Sequence, residues 1–68
     1  MPYVNVRVTR EGVTPAQKAE IIARMTDVLV EVLDKDPRTT FVVIDEVALA
    51  DWGVGGVPVT EYRARQHD

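Results

Sequence analysis

The sequence predicts an α/β (α+β) subunit in which a strand, a helix and a second strand form one βαβ unit, followed by a short C-terminal hairpin. Three observations predict this class. Residues 3–9 alternate between apolar and polar, residues 15–33 carry an apolar stripe at helical spacing, and residues 40–44 are rich in β-branched side chains. The crossover between the two parallel strands should be right-handed. We expect residues 1–68 to form a single domain.

The first predicted strand has one apolar face. Val4, Val6 and Val8 occupy every second position of residues 3–9, and the residues between them point the other way. Residues 10–13 then form a turn that leads into the helix.

The helix is predicted to run from about Pro15 to Leu33. Thr14 can cap its first turn, Pro15 suits the first helical position, and Gln17 completes a capping box. Because Pro37 disfavours helical backbone before it, the helix should end near Leu33. One apolar stripe follows the start, made of Ile21, Ile22, Met25, Val28, Leu29, Val32 and Leu33.

The second half of the chain is predicted to hold a buried strand and a turn. The continuous apolar run of residues 40–44 is typical of a parallel strand buried on both faces, and residues 45–50 lead outward from it. Residues 52–59 contain three glycines and predict a tight turn or short hairpin. They do not predict a phosphate loop, because the glycines follow the second strand instead of the first, with Pro58 close behind and no helix expected after them. Residues 61–68 are polar and predict a frayed tail.

Composition indicates the classes of protein that the chain does not fit. A net charge of −3 gives no general nucleic-acid footprint, and the longest apolar run, residues 41–44, is too short to span a membrane. No charged leader precedes an apolar stretch, so we expect a cytoplasmic protein.

Small size predicts assembly. A lone core of this length is marginal, no cysteine is available for disulfides or thiolate zinc, and His67 has no second ligand nearby in sequence. One helix covers only one face of a two-stranded sheet, so the other face, carrying Phe41 or Val42, needs a partner, as does the sheet edge. We expect a homo-oligomer.

Pro2 is the first candidate for chemistry. If Met1 is removed, Pro2 carries a free secondary amine, which can take a proton from carbon beside a carbonyl when neutral and return one when protonated. Burial and neighbouring cations can bring its pKa near the working pH. The ordinary alternative is a proline that merely opens a strand.

Three further residues are candidate substrate contacts. The forked guanidinium groups of Arg10 and Arg38 match a substrate carboxylate, although either can equally be a solvated loop residue. Arg10 follows the first strand and Arg38 precedes the second, so they lie at opposite ends of the sheet, and only neighbouring subunits can bring both beside Pro2. Trp52 fits either a pocket wall or an interface anchor. Asp45 and Glu46 point to opposite faces of the strand and mark a solvated strand end.

Four segments together resemble the 4-oxalocrotonate tautomerase family, the short-chain members of the tautomerase superfamily. They are Met1-Pro2 opening a strand, residues 11–18 entering a helix, residues 42–46 in the second strand, and residues 52–56. The resemblance covers nearly the whole chain. It implies a dimer with a four-stranded sheet and a hexamer of three such dimers.

The resemblance also implies an isomerase. The implied reaction is keto–enol tautomerisation or double-bond migration in a small 2-oxo acid, so the substrate is a small carboxylate. The implied setting is the degradation of aromatic compounds. Pro2 would be the acid and base, and Trp52 would line the pocket. No cofactor and no metal are implied.

Two departures from the family pattern concern the substrate. Val13 and Phe41 stand where the family usually carries arginines. Arg10 and Arg38 lie nearby in sequence, and we hypothesise that they replace the two missing arginines. Two alternatives stay open: a hydratase or dehalogenase acting on an unsaturated acid, and a non-catalytic oligomeric binding protein. Whether a second kind of subunit joins the assembly is open as well.

Overall fold

A computed structural model of the protein describes residues 1–66. Its elements, in chain order, are β1 (Tyr3–Thr9), α1 (Pro15–Leu33), β2 (Phe41–Val47), β3 (Gly53–Val54), β4 (Val57–Pro58) and α2 (Val59–Gln66). Single 3₁₀ turns at Pro37–Thr39 and Leu49–Asp51 lie on either side of β2. The βαβ unit and the hairpin of β3 and β4 confirm the predicted fold class.

The two long strands are parallel, with Tyr3 opposite Phe41 at one end and Thr9 opposite Val47 at the other. One face of β2 carries every second residue of the strand, namely Val42, Ile44 and Glu46. Lys18 of α1 donates a hydrogen bond to Glu46, so this face lies against the helix. The apolar face of β1 is on the same side. The opposite face of the sheet carries the remaining residues of both strands, which begin with the exposed pair of Tyr3 and Phe41.

Helix α1 has the predicted bounds. The Gln17 backbone N–H donates to the Thr14 hydroxyl at 3.1 Å, and the Thr14 N–H donates to the Gln17 side chain at 2.9 Å, which completes the capping box. The helix ends at Asp34, whose left-handed backbone (φ 53°) lets the next N–H, that of Lys35, donate back to the Leu29 carbonyl at 3.3 Å.

A single chain buries almost no side chain completely. Among the described residues only Val59, at 5% exposure, is buried. The accessible surface is 5133 Å², where a compact chain of this mass exposes about 4300 Å². The radius of gyration is 15.7 Å, against about 11 Å for a compact domain of this length. The chain is therefore more open than a compact monomer of its size.

The prediction that β2 is buried on both faces is wrong for a single chain. Phe41 and Val43 on the face away from α1 are 49% and 42% exposed. One helix covers one face, and no other element of the described chain reaches the second. Phe41, not Val42, is the apolar residue at the exposed end of this face.

The predicted frayed tail is also wrong. Residues Val59–Gln66 form α2, which is joined to the hairpin through a 2.7 Å hydrogen bond from the Val59 N–H to the Trp52 carbonyl. Arg63 of this helix pairs with Glu11. His67 and Asp68, which were part of that prediction, lie outside the described residues. Within residues 1–66, neither helix combines the length and apolar composition that a membrane crossing requires.

Candidate active site

Pro2 lies at the end of the sheet where both long strands begin. Its carbonyl accepts a 3.0 Å hydrogen bond from the Phe41 N–H, which extends the parallel ladder one residue before Tyr3. Pro2 itself is half-buried, whereas Met1 and Tyr3 are exposed. The backbone of Pro2 is thus fixed by β2, and Phe41 is its neighbour across the ladder.

Arg38 lies at this same end, in the 3₁₀ turn that precedes β2. Its guanidinium donates to Asp36 through both forks, with Nε–Oδ1 at 3.2 Å and Nη2–Oδ2 at 3.0 Å. These side-chain hydrogen bonds, followed by one from the Arg38 backbone, hold the pKa of Asp36 below its usual value. Arg38 is therefore on the Pro2 side of the sheet but already carries an acidic partner.

Arg10 lies at the opposite end. Its N–H donates to the Val47 carbonyl at 2.8 Å, just beyond the last paired residues of the two strands. Seven residues of strand separate the two ends, a length of about 20 Å. The guanidinium of Arg10 donates to the Glu46 carbonyl at 3.4 Å, and its charge contributes to the lowered pKa of Glu46, after the larger effects of Lys18.

Trp52 is held beyond the carboxyl end of β2. Its N–H donates to the Leu49 carbonyl at 3.2 Å, and its carbonyl accepts from Val59 on α2. The side chain is half-buried beside the hairpin. Trp52 and Arg10 therefore belong to one end of the sheet, and Pro2 and Arg38 to the other, so one chain does not bring the four predicted site residues together. Their roles in binding and catalysis stay predictions.

The two adjacent carboxylates near the end of β2 lie on opposite faces of the strand. Glu46 accepts a 2.6 Å hydrogen bond from Lys18, and this bond is the main reason that its pKa is lowered. Asp45, on the exposed face, accepts from Asn5 at 2.8 Å and lies 3.6 Å from Arg7. This arrangement confirms that adjacent strand carboxylates point apart, and both are occupied by structural partners.

The sequence reasoning did not find the pair of Glu11 and Arg63. Arg63 donates two hydrogen bonds to the Glu11 carboxylate, which also accepts one from the Thr9 hydroxyl. The hydrogen bond from Arg63 is the largest cause of a Glu11 pKa of about 2, followed by that from Thr9. No local signal could reveal it, because the partners lie 52 positions apart.

A groove of about 490 Å³ lies along the first half of α1, and none of the four predicted site residues lines it. Its wall includes Val13, the residue at the position where the family usually has arginine, together with Ile21 and an ion pair of Glu20 with Arg24. Among residues 1–66, no group of three or more acidic or histidine side chains is gathered where it could hold a metal ion.

Comparison with known proteins assigns the family. A family model described as tautomerase enzyme matches residues 2–62 of this chain. The chain belongs to the tautomerase family. Probable tautomerase K2 of Dickeya dadantii is 54% identical over 63 residues, which cover 93% of this chain and 94% of that protein. Membership in the tautomerase family supports an isomerase-type activity.

Solved structures agree with this assignment. The crystal structure of DmpI from Helicobacter pylori superposes with a TM-score of 0.86 at 35% identity, covering 93% of this tautomerase chain and 97% of DmpI. A heterohexameric 4-oxalocrotonate tautomerase from Chloroflexus aurantiacus superposes with a TM-score of 0.80 at 26% identity, covering 90% and 97% of the two chains. The resemblance to 4-oxalocrotonate tautomerases is confirmed.

Proposed function

We propose that this protein is a cofactor-independent tautomerase that interconverts the enol and keto forms, or moves the double bond, of a small 2-oxo or 2-hydroxy unsaturated acid. Pro2 is the acid and base. The observation that carries the proposal is the position of Pro2, which the family match includes and which the Phe41 hydrogen bond fixes at the start of the sheet.

The proposed reaction uses only proton transfer. Once Met1 is removed, the neutral Pro2 amine takes the proton from the 2-hydroxyl group of the enol. The electrons of that O–H bond form the C=O bond, the carbon–carbon double bond shifts, and a terminal carbon of the enol system takes the proton from the protonated amine. Substrate and product are isomers, and the amine ends in its starting protonation state.

The complete site requires at least two chains. Pro2 and Arg38 lie at one end of the sheet, and Arg10 and Trp52 lie about 20 Å away at the other. In our proposal, a second copy placed end to end against the first brings its Arg10 and Trp52 toward Pro2. Arg10 then orients the substrate carboxylate by a charge-assisted hydrogen bond, and Trp52 excludes water.

The exposed face of the sheet supports the same assembly. Its apolar residues Phe41 and Val43 have no cover within one chain, and the chain is more open than a compact monomer of its size. We propose a homo-oligomer built from dimers, with a hexamer as its complete form and residues 1–68 as one domain in each copy. We also propose a cytoplasmic location, as the sequence predicts, and a role in the breakdown of aromatic compounds, which rests on the family resemblance alone.

The hydratase or dehalogenase alternative needs a carboxylate beside Pro2 to activate water. The Asp36 carboxylate lies at this end of the sheet, but both of its oxygens accept hydrogen bonds from Arg38. A water molecule would have to compete with a guanidinium for the same oxygens. The tautomerase proposal needs no such exchange.

The test replaces the proposed base. Pro2→Ala should lower kcat/KM for enol-to-keto conversion by about 100- to 10,000-fold, the usual contribution of a positioned acid or base. Pro58→Ala, at an exposed proline of β4, is the matched control and should leave the rate unchanged. Mass spectrometry would report whether Met1 is absent, and gel filtration whether assembly is intact. An unchanged rate in assembled Pro2→Ala would exclude Pro2 as the base and leave the non-catalytic binding protein as the stronger interpretation.

A further inference from the structure

Arg10 lies in the loop that joins β1 to α1, and the proposed function places its guanidinium on the substrate carboxylate. Its N–H donates to the Val47 carbonyl at 2.8 Å, which continues the strand ladder by one residue. Within the described part of the chain, its guanidinium makes one hydrogen bond, of 3.4 Å, to the Glu46 carbonyl, and this distance is long for such a bond. The direction of the Arg10 side chain therefore depends on how the loop around it is held.

Glu11 holds the loop from one side. Its carboxylate accepts a hydrogen bond from the Thr9 hydroxyl, so the side chains of these two residues meet on the same side of the chain. Because successive side chains of an extended chain point in opposite directions, Arg10 between them is directed to the other side. Fixing Glu11 therefore fixes the direction of Arg10 as well.

The residue after Glu11 supplies little restraint. Gly12 has a left-handed backbone (φ 87°), and no atom lies within 4 Å of the point where a Cβ would be. Glycine adopts this conformation without steric cost, but it also leaves the backbone free to adopt others. An anchor from outside the loop is needed to keep Glu11 in one place.

Arg63 of α2 is that anchor. The two terminal nitrogens of its guanidinium donate to the two oxygens of the Glu11 carboxylate, and the bond from Nη2 is 3.1 Å long. Such a bidentate pair fixes orientation as well as distance. The side chains of Arg63 and Glu11 are 50% and 38% exposed, so the pair adds little to the global stability of the fold. Its effect is local, on the loop that carries Arg10.

We propose that Arg63 is a positioning residue for substrate binding, which directs Arg10 toward the substrate carboxylate by holding Glu11. This inference rests on the proposed tautomerase function for the role of Arg10, and it adds the C-terminal helix to the binding machinery. Arg63 acts through Glu11 and does not itself contact the substrate. Loss of Arg63 therefore weakens the hold on the carboxylate, whereas proton transfer by Pro2 continues once substrate is bound.

The first test separates binding from chemistry, with the enol 2-hydroxymuconate as substrate. Arg63→Ala should raise KM by about tenfold, the value of one charge-assisted hydrogen bond, and change kcat by less than about twofold. Arg63→Lys keeps the charge and should raise KM less. Arg65→Ala, whose partner Glu61 lies in the same helix, is the control and should leave KM and kcat unchanged. A KM in Arg63→Ala equal to that of the control would overturn the proposal.

A binding measurement asks whether Arg63 acts through Arg10. The probes are 2-oxopentanoate and its uncharged amide, 2-oxopentanamide, in NMR titrations, with gel filtration to check the assembly of each variant. The wild type should bind the acid about tenfold more tightly than the amide. That ratio should fall in Arg63→Ala and in Arg10→Ala, and Arg63→Ala should cause no further fall once Arg10 is alanine. A further fall in the double variant, or a ratio unchanged in either single variant, would overturn the proposal.

The two measurements distinguish this inference from the proposed function. If the wild type does not convert 2-hydroxymuconate but Arg63 and Arg10 are coupled in binding, the tautomerase proposal fails and the positioning role stands. If conversion depends on Pro2 but the coupling is absent, Pro2 keeps its role and the positioning role of Arg63 fails.

Discussion

Arg63 on α2 holds the carboxylate of Glu11, in the loop between β1 and α1, through two hydrogen bonds, of which the one from Nη2 is 3.1 Å long. This bidentate pair joins the last helix to the first loop, and Arg10 directly precedes Glu11 in that loop. The position of the loop is therefore linked to the docking of α2.

Acid should release this pair. Its arginine holds the pKa of Glu11 at about 2, below the ordinary value of 4.5. A carboxyl with a depressed folded-state pKa stabilises the fold above its unfolded pKa, and that contribution is lost as the pH falls through the folded value. We expect the protection of the α2 amides, measured against their intrinsic exchange rate at each pH, to fall between pH 4.5 and pH 2, with the Glu11 carboxyl titrating by NMR at a midpoint of about 2. Titration of Glu11 without any change in α2 would contradict the link.

Substitution of Arg63 should show that the pair of Glu11 with Arg63 contributes more to the docking of α2 than a surface pair within the helix does. Arg63→Ala should return the pKa of Glu11 toward 4.5 and raise the amide exchange rate of α2 at neutral pH. Arg65→Ala is the matched control, because Arg65 pairs with Glu61 inside the same helix. The control should leave Glu11 unchanged. Equal effects of the two substitutions would mean that general helix propensity, not the pair, explains the result.

The N-cap of α1 should contribute to stability. Thr14→Ala removes the hydroxyl that accepts from the Gln17 N–H, and loss of such a cap costs about 1 kcal/mol. The melting temperature, measured at one fixed protein concentration because assembly affects it, should fall. Thr14→Ser keeps the acceptor and should melt close to the wild type. A melting temperature for Thr14→Ala equal to that of Thr14→Ser would show that the cap contributes little.

The pair of Lys18 and Glu46 should report the contact of α1 with β2. Lys18→Ala removes the first cause of the lowered Glu46 pKa, so that pKa should rise toward 4.5 in an NMR titration. Arg24→Ala, which breaks the exposed pair of Arg24 with Glu20 on the same helix, should leave Glu46 unchanged. A Glu46 pKa unaffected by Lys18→Ala would mean that the 2.6 Å contact is absent in solution.

Release of Arg38 from Asp36 should strengthen the binding of a dicarboxylate substrate. Asp36→Asn removes the negative partner of Arg38 and adds one net positive charge at the Pro2 end of the sheet. KM for the dicarboxylate enol 2-hydroxymuconate should fall by up to about fivefold, the scale of an exposed ion pair, because the freed guanidinium can hold a substrate carboxylate. Asp34→Asn makes the same charge change without freeing Arg38, and should have a smaller effect. Equal effects of both substitutions would indicate general charge and not release of the guanidinium.

Local sequence signals predicted most of the fold. The capping box and Pro37 fixed the bounds of α1, and alternation in residues 3–9 fixed β1 to the residue. Helix α2 was missed because its sequence is mostly polar, and of Val59–Gln66 only Val59 and Tyr62 are shielded from solvent. Its charges could have revealed it, since Glu61 in the first turn and basic residues in the last turn complement the helix dipole.

The candidate site was predictable only in part. The crossover geometry places Arg10 and Arg38 at opposite ends of the sheet, as the order of strand and helix requires. The occupation of Arg38 by Asp36 was not predicted, although a charged pair two residues apart in a turn is a local feature. The Glu11–Arg63 contact depends on the whole fold, so no window of sequence contains it.

The most direct test of Pro2 as the catalytic acid and base is a ¹⁵N NMR titration of the Pro2 nitrogen in the assembled wild-type protein. We predict a free secondary amine with a pKa near neutrality, because an apolar pocket disfavours its charged form. Since the base must be neutral, kcat/KM for enol-to-keto conversion should fall as the pH drops through that same midpoint. An amide nitrogen still joined to Met1, or an amine whose titration leaves kcat/KM unchanged, would contradict the account.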